Sequence, residues 1–292
     1  MMKSRATLIG FTAILMWSLL ALMTAASGKM PPFQLAAITF LIGSLPGLAM
    51  LAAKPARISA FRQPWPVWVT GIAGLFGYHF LYFTALRNAP PAEAGLIAYL
   101  WPLFIVLGSA LLPGERLRLH HVLGAVLGLS GSFLIVSRNG LSFEGAYTLG
   151  YLMAFLCAFT WAAYSLMSRK FGSVPTDAVT AFCLATSFLS LISHLALEQT
   201  VWPETTSQWV AVVGLGIFPV GLAFYTWDHG VKKGDIQLLG AASYAAPLLS
   251  TGALIIGGFA EPSWRIAGAG LLITAGAVIA ARDMIFKRRA AA

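Results

Sequence analysis

Apolar stretches about as long as a bilayer is thick follow one another along this sequence, and that repetition constrains the fold more than any other feature. A helix needs about 20 mainly apolar residues to cross the hydrocarbon core. Runs of that kind fall near 6–27, 32–53, 66–86, 92–112, 120–137, 147–168, 178–197, 207–227, 236–258 and 265–282, ten in all. The loops between them are short, with no linker, low-complexity stretch or soluble domain. Strands are set aside, because a membrane barrel alternates in segments of about 10 residues. Charge agrees with this reading: 10% of the residues are charged, against about 25% in a soluble domain. The 10 acidic residues sit near run ends and none at a centre, where a charge costs about 3 kcal/mol or more. Cys157 and Cys183 lie inside apolar runs, with no metal or disulfide spacing.

Lys and Arg orient the runs, since cytoplasmic loops hold the excess. With the N-terminus placed inside, the inside segments hold 15 of them, from Lys3 and Arg5 to Lys287, Arg288 and Arg289. The outside segments hold only Lys29, Arg87, Arg138 and Arg265. The bias favours an even number of crossings with both termini cytoplasmic. It also assigns the net charge of +9 to a membrane surface and not to nucleic acid. Trp65, Trp68, Trp202, Trp209 and Trp264 flank runs and read as interfacial anchors. The first run resembles a secretion signal, with small residues at Ala25–Ala26–Ser27, but its apolar stretch exceeds the usual 7–15 residues. It is read as a retained helix.

The chain also repeats itself. Gly95, Tyr99, Pro102 and Leu103 match Gly240, Tyr244, Pro247 and Leu248 at a constant offset of 145. The same offset pairs Phe80 with Tyr225 and Arg87 with Lys232, while Glu115 and Glu261 correspond at 146 and Trp17 and Trp161 at 144. Two five-helix halves are therefore expected, 1–140 and 141–292. An odd number of crossings per half makes the halves antiparallel, an inverted repeat with the substrate site between them near the midplane.

Ten runs, a five-plus-five duplication, Tyr-x-x-Pro in runs 4 and 9, an acidic residue after each, and glycine-rich runs 5 and 10 resemble the drug/metabolite transporter superfamily, in its EamA branch. The stretch from Gly77 to Pro102, with Tyr78-His79-Phe80-Leu81-Tyr82 and Ala98-Tyr99-Leu100-Trp101-Pro102, resembles the exporters of aromatic amino acids within that branch. The resemblance implies inner-membrane export of aromatic amino acids and related metabolites. One departure matters: the small multidrug branch couples to protons through a glutamate in its first helix, and 6–27 holds no acidic residue.

An aromatic amino acid presents a ring to bury and a zwitterion to satisfy, so its pocket is largely apolar with a few placed polar groups. The mid-run candidates are Trp17, Tyr78, His79, Tyr82, Tyr99, Trp101, Trp161, Tyr164, Tyr225, Ser243 and Tyr244. Ring faces stack a substrate ring or hold an ammonium, and hydroxyls serve the carboxylate; plain packing is the rival role for each. Tyr78 and Tyr82 are one helical turn apart and share a face. Pro102 and Pro247 each remove an intrahelical bond, and are read as hinges, with a static bend as the rival. Gly124, Gly128 and Gly131, and Gly268, Gly270 and Gly276, form small-residue stripes that allow close helix approach, within a monomer or at a dimer seam. His194, near a run end, is read as structural.

The expectation is an all-α membrane protein acting as a secondary transporter on a small-molecule substrate, monomeric, needing no cofactor and no metal. Another metabolite class is the nearest rival; without mid-run basic residues, sugar phosphates fit poorly. An enzyme would need a catalytic constellation at one interface, and Asp228 and His229, being adjacent, point about 100° apart on a helix. The sequence carries no Gly-x-x-x-x-Gly-Lys-Ser/Thr phosphate loop. A scaffold would need more loop than this chain offers.

Overall fold

The computed structural model describes residues 2–137, 144–256, 261 and 263–282. Arg138, Asp283, Lys287, Arg288 and Arg289, used above for orientation and charge placement, lie outside them. Among the described residues the regular elements are all helical. Among these residues seven helices are long and apolar enough to cross a membrane: α1 (Met2–Ala26), α2 (Pro32–Ala53), α3 (Trp65–Asn88), α4 (Glu93–Leu111), α6 (Gly145–Lys170), α7 (Ala178–Leu197) and α8 (Thr206–Lys233). Between and after them come α5 (Leu119–Val136), α9 in two pieces (Ile236–Ala242 and Ala245–Ile256), and α10 (Trp264–Ala280).

Several helices depart from regular geometry at corresponding places. In α3 the stretch Ala73–Gly77 winds as a π-helix, and in α8 so does Phe218–Leu222, 145 residues later. Helix α4 is interrupted by a turn at Tyr99–Leu100, α9 by one at Ser243–Tyr244. Each turn lies just ahead of a proline, Pro102 or Pro247. Proline has no N–H for the carbonyl four residues back and its ring presses on that carbonyl, so the break falls one turn ahead of it. Helix α1 also turns, at Ser18–Leu19, with no proline; there Ser18 donates to the Leu15 carbonyl.

The helices pack in matched pairs: α1 against the second half of α8 and α6 against the second half of α3, α2 against α7, and α5 against α10. Close contact requires glycine. A Cβ on Gly124 would lie 2.6 Å from the Gly276 carbonyl, and one on Gly10 2.9 Å from the Gly230 Cα. The stripe in α10 is narrower than the sequence suggests, because a Cβ on Gly268 meets nothing.

Ion pairs gather at the two ends of the bundle. At one end Arg169 pairs with Glu115 and donates to the Val231, Lys232 and Gly234 carbonyls, while Lys3 reaches Asp235 at 3.4 Å. There too Lys232 meets Asp228 at 2.8 Å, and Thr176 donates to the same carboxylate. These contacts extend α8 beyond its apolar run at 207–227, since a buried carboxylate is tolerated when an ammonium one turn away neutralises it. At the other end Glu198 accepts from Arg87 at 2.7 Å and from the Phe33 and Gln34 amides at the start of α2. His194 lies between Glu198 and Thr200. Four of the five flanking tryptophans are exposed, whereas Trp68 turns inward against Phe182.

Candidate functional site

A cavity of about 150 Å³ lies in the middle of the bundle, walled by α1, α3, α4, α6, α8 and α9. Seven of the eleven candidates line it: Trp17, Tyr78, His79, Tyr82, Tyr99, Trp101 and Trp161. They come from four helices and are spread over 144 residues of chain. Trp17 and Trp161 meet edge to face with centroids 5.5 Å apart, and Trp101 stands 6.3 Å from each. Tyr78 and Tyr82 stack 6.1 Å apart, nearly parallel, as their one-turn spacing requires. The cavity-lining residues include no Asp, Glu, Lys or Arg.

A π-helical turn sets one of the polar contacts, and a side chain bonding one helical turn back sets another. In α8 the Ala223 amide reaches back to Phe218, five residues away, so the intervening Pro219 carbonyl loses its ordinary donor. The Trp17 indole N–H takes it at 3.0 Å. In α3 the Leu75 carbonyl lies 2.7 Å from His79 Nδ1. A carbonyl can only accept, so Nδ1 carries the proton and Nε2 of the neutral ring is left with a lone pair. The His79 ring is held edge to face by Phe40 at 5.0 Å and by Tyr78 at 5.2 Å.

Four candidates lie elsewhere. Tyr164 is buried behind Trp161, 5.1 Å from it, and packs on Gly74. The Tyr225 hydroxyl donates to Thr180 at 3.1 Å, on the face of α8 turned toward α2 and α7. Ser243 is fully buried and donates to the Leu239 carbonyl at 2.7 Å. The Tyr244 hydroxyl, also fully buried, accepts the Leu103 amide at 3.1 Å and so ties the break of α9 to that of α4. Tyr99 and Tyr244 are equivalent in sequence but not in surroundings: one faces the cavity, the other is locked.

The cavity also takes Leu20, Pro219, Val220, Phe224 and Ala246, which the sequence reading passed over. Phe224 stacks on Phe40 at 5.5 Å and meets Trp17 and Trp161. Behind the wall stands Trp227, wholly buried. The repeat carried a signal for both, since adding 145 to His79 gives Phe224 and to Tyr82 gives Trp227. Toward the Arg169 end Ile14, Val231, Ile236 and Leu239 are buried. Toward the Arg87 end Leu20 is 41% exposed and Gly95 faces open space.

The model of the EamA-like transporter family matches residues 4–137 and again 148–282. A protein of Ancylobacter novellus named aromatic amino acid exporter YddG is 57% identical over 282 residues, 96% of this chain and 98% of that one. The Escherichia coli protein of the same name is 27% identical over 264 residues, covering 86% and 88%. The pseudopaline exporter CntI of Pseudomonas aeruginosa is 30% identical over 210 residues, 70% and 71%. A solved crystal structure, 57% identical, superposes with a TM-score of 0.92 over 95% of this chain and 96% of its own.

Proposed function

Because the chain belongs to the EamA-like transporter family, we propose that it exports aromatic or other hydrophobic amino acids across the bacterial inner membrane by alternating access. Its relatives are transporters and exporters by name, and the enzyme reading falls away. The observation that carries the substrate proposal is the cavity itself: eight aromatic or imidazole side chains around a space with no fixed charge. An engineered apolar cavity of about this volume admits a benzene ring. The substrate ring sits among Trp17, Trp101 and Trp161. Its ammonium meets ring faces and His79 Nε2, and its carboxylate meets the hydroxyls of Tyr78, Tyr82 and Tyr99. Without an acidic residue among the lining groups, coupling through a carboxylate in the cavity has no candidate.

The ten crossings, the inverted five-helix halves at 1–140 and 141–292, and cytoplasmic termini belong to the same proposal. Several observations support the halves. The family model matches twice; the π-helical turns recur at an offset of 145; and α1–α8 packing mirrors α6–α3. Equivalent Trp17 and Trp161 touch, as they would beside a pseudo-two-fold axis. In this scheme the structure is open toward the Arg87 end and closed toward the Arg169 end. Spans α4 and α9 are the hinges at Pro102 and Pro247, and the working unit is the monomer.

Flux in reconstituted liposomes tests the function. Labelled phenylalanine, tyrosine and tryptophan should show saturable transport, run with and without a pH gradient. Tyr78→Ala, Tyr99→Ala and Trp101→Ala should each lower flux at least tenfold while folded yield holds. Full activity in all three ends the aromatic-pocket proposal. The pseudopaline exporter among the relatives marks the rival reading, a different metabolite; competition by a metabolite panel in the same vesicles separates the two.

A further inference from the structure

The tryptophan cluster has a fourth member that never touches the cavity. Trp227 is wholly buried in α8, with Trp17 at 5.1 Å, Trp101 at 5.8 Å and Trp161 at 6.2 Å. It therefore stands directly behind the three indoles that form the inner wall. Its own orientation is fixed by a hydrogen bond. The Trp227 indole N–H donates to Ser165 Oγ at 3.1 Å, and the Ser165 hydroxyl donates to the Trp161 carbonyl at 2.9 Å. A buried indole N–H without a partner is costly, so the bond selects one setting of the ring. The relay ends on the backbone of Trp161, one of the wall residues, and joins α8 to α6.

We infer that Trp227, held by Ser165, is a positioning residue that sets the depth of the cavity and with it the ring size the transporter accepts. The inference rests on the aromatic-substrate reading above. A space of about 150 Å³ holds a phenyl ring closely and an indole only by pressing on the inner wall. With Trp227 in place that wall cannot retreat, because the ring behind it fills the space and is pinned. Replacing it with a smaller ring removes both bulk and bond, letting Trp17, Trp101 and Trp161 move back. A pocket distinguishes ligands differing by one methylene by about 10–200-fold, so a change of one ring's depth is well within measurable range.

The test is the tryptophan-to-phenylalanine ratio of kcat/KM, measured in proteoliposomes for the full chain and three variants. Trp227→Phe should raise that ratio about tenfold, through a lower KM for tryptophan and a higher KM for phenylalanine at little-changed kcat. Ser165→Ala keeps the indole but frees it, and should move the ratio the same way by a smaller factor. Ser165→Thr retains the hydroxyl and should keep the parent ratio; the two Ser165 variants carry the test even if Trp227→Phe folds poorly. If the parent protein carries neither amino acid, the substrate reading fails and this inference falls with it. If the parent carries both but Trp227→Phe and Ser165→Ala leave the ratio unchanged, losing only kcat, the inference alone is overturned and the substrate reading stands.

Discussion

Replacing Tyr244 by phenylalanine removes one oxygen atom from a fully buried ring, and that oxygen accepts the Leu103 amide at 3.1 Å. A buried N–H left without an acceptor costs about 1–3 kcal/mol. The Tyr99 carbonyl lies four residues upstream of Leu103 and can take the amide back, so the cost falls at the low end, about 1 kcal/mol. If the halves exchange conformations, the reciprocal state places the Tyr99 hydroxyl on the Leu248 amide and turns Tyr244 toward the cavity. The loss in Tyr244→Phe then burdens only the conformation seen here, and its population relative to the other falls about fivefold. Tyr99→Phe should shift the balance about as far in the opposite direction. The assay is labelling of a cysteine introduced at Leu20 by a membrane-impermeant maleimide, applied to right-side-out and inverted vesicles. Cys157 and Cys183 are buried, and the protein without the added cysteine gives the background. If both variants keep their fold yet label from each face at the parent's rates, the reciprocal tyrosine argument is wrong.

Three further outcomes are expected. Gly124→Ala drives a methyl to within 2.6 Å of the Gly276 carbonyl and should lower the melting temperature, whereas Gly268→Ala, facing open space, should leave it level or raise it, gaining up to about 1 kcal/mol of helix propensity. Asp228→Asn strands the Lys232 ammonium, whose side chain is 5% exposed, and should cost about 3–5 kcal/mol; Asp228→Leu combined with Lys232→Met should cost less, both read from detergent melts. Pro102→Ala restores an N–H to the break in α4 and should slow transport without reducing folded yield. A normal rate would leave the proline a static bend.

The helical, membrane-embedded character of this chain was legible in its sequence because it rests on a local quantity. Transfer of a 20-residue segment to hydrocarbon depends on that segment's own composition, and the lipid forces its backbone to hydrogen-bond within itself. The aromatic residues at mid-run could likewise be read directly, as could the offset of 145 at which Gly95, Tyr99 and Pro102 match Gly240, Tyr244 and Pro247. Only the tertiary structure decided which of those rings meet. A soluble helix marks its inner face with an apolar stripe, but lipid is as apolar as a core, so periodicity does not distinguish Trp17, which lines the cavity, from Tyr225, which bonds Thr180 outside it. Tyr99 and Tyr244 make the point most sharply. Their surroundings in sequence are alike, yet one is open and the other locked on Leu103, 141 residues away. That choice depends on how helices far apart in the chain lean against each other, a property of contacts between distant segments that no single stretch of sequence contains.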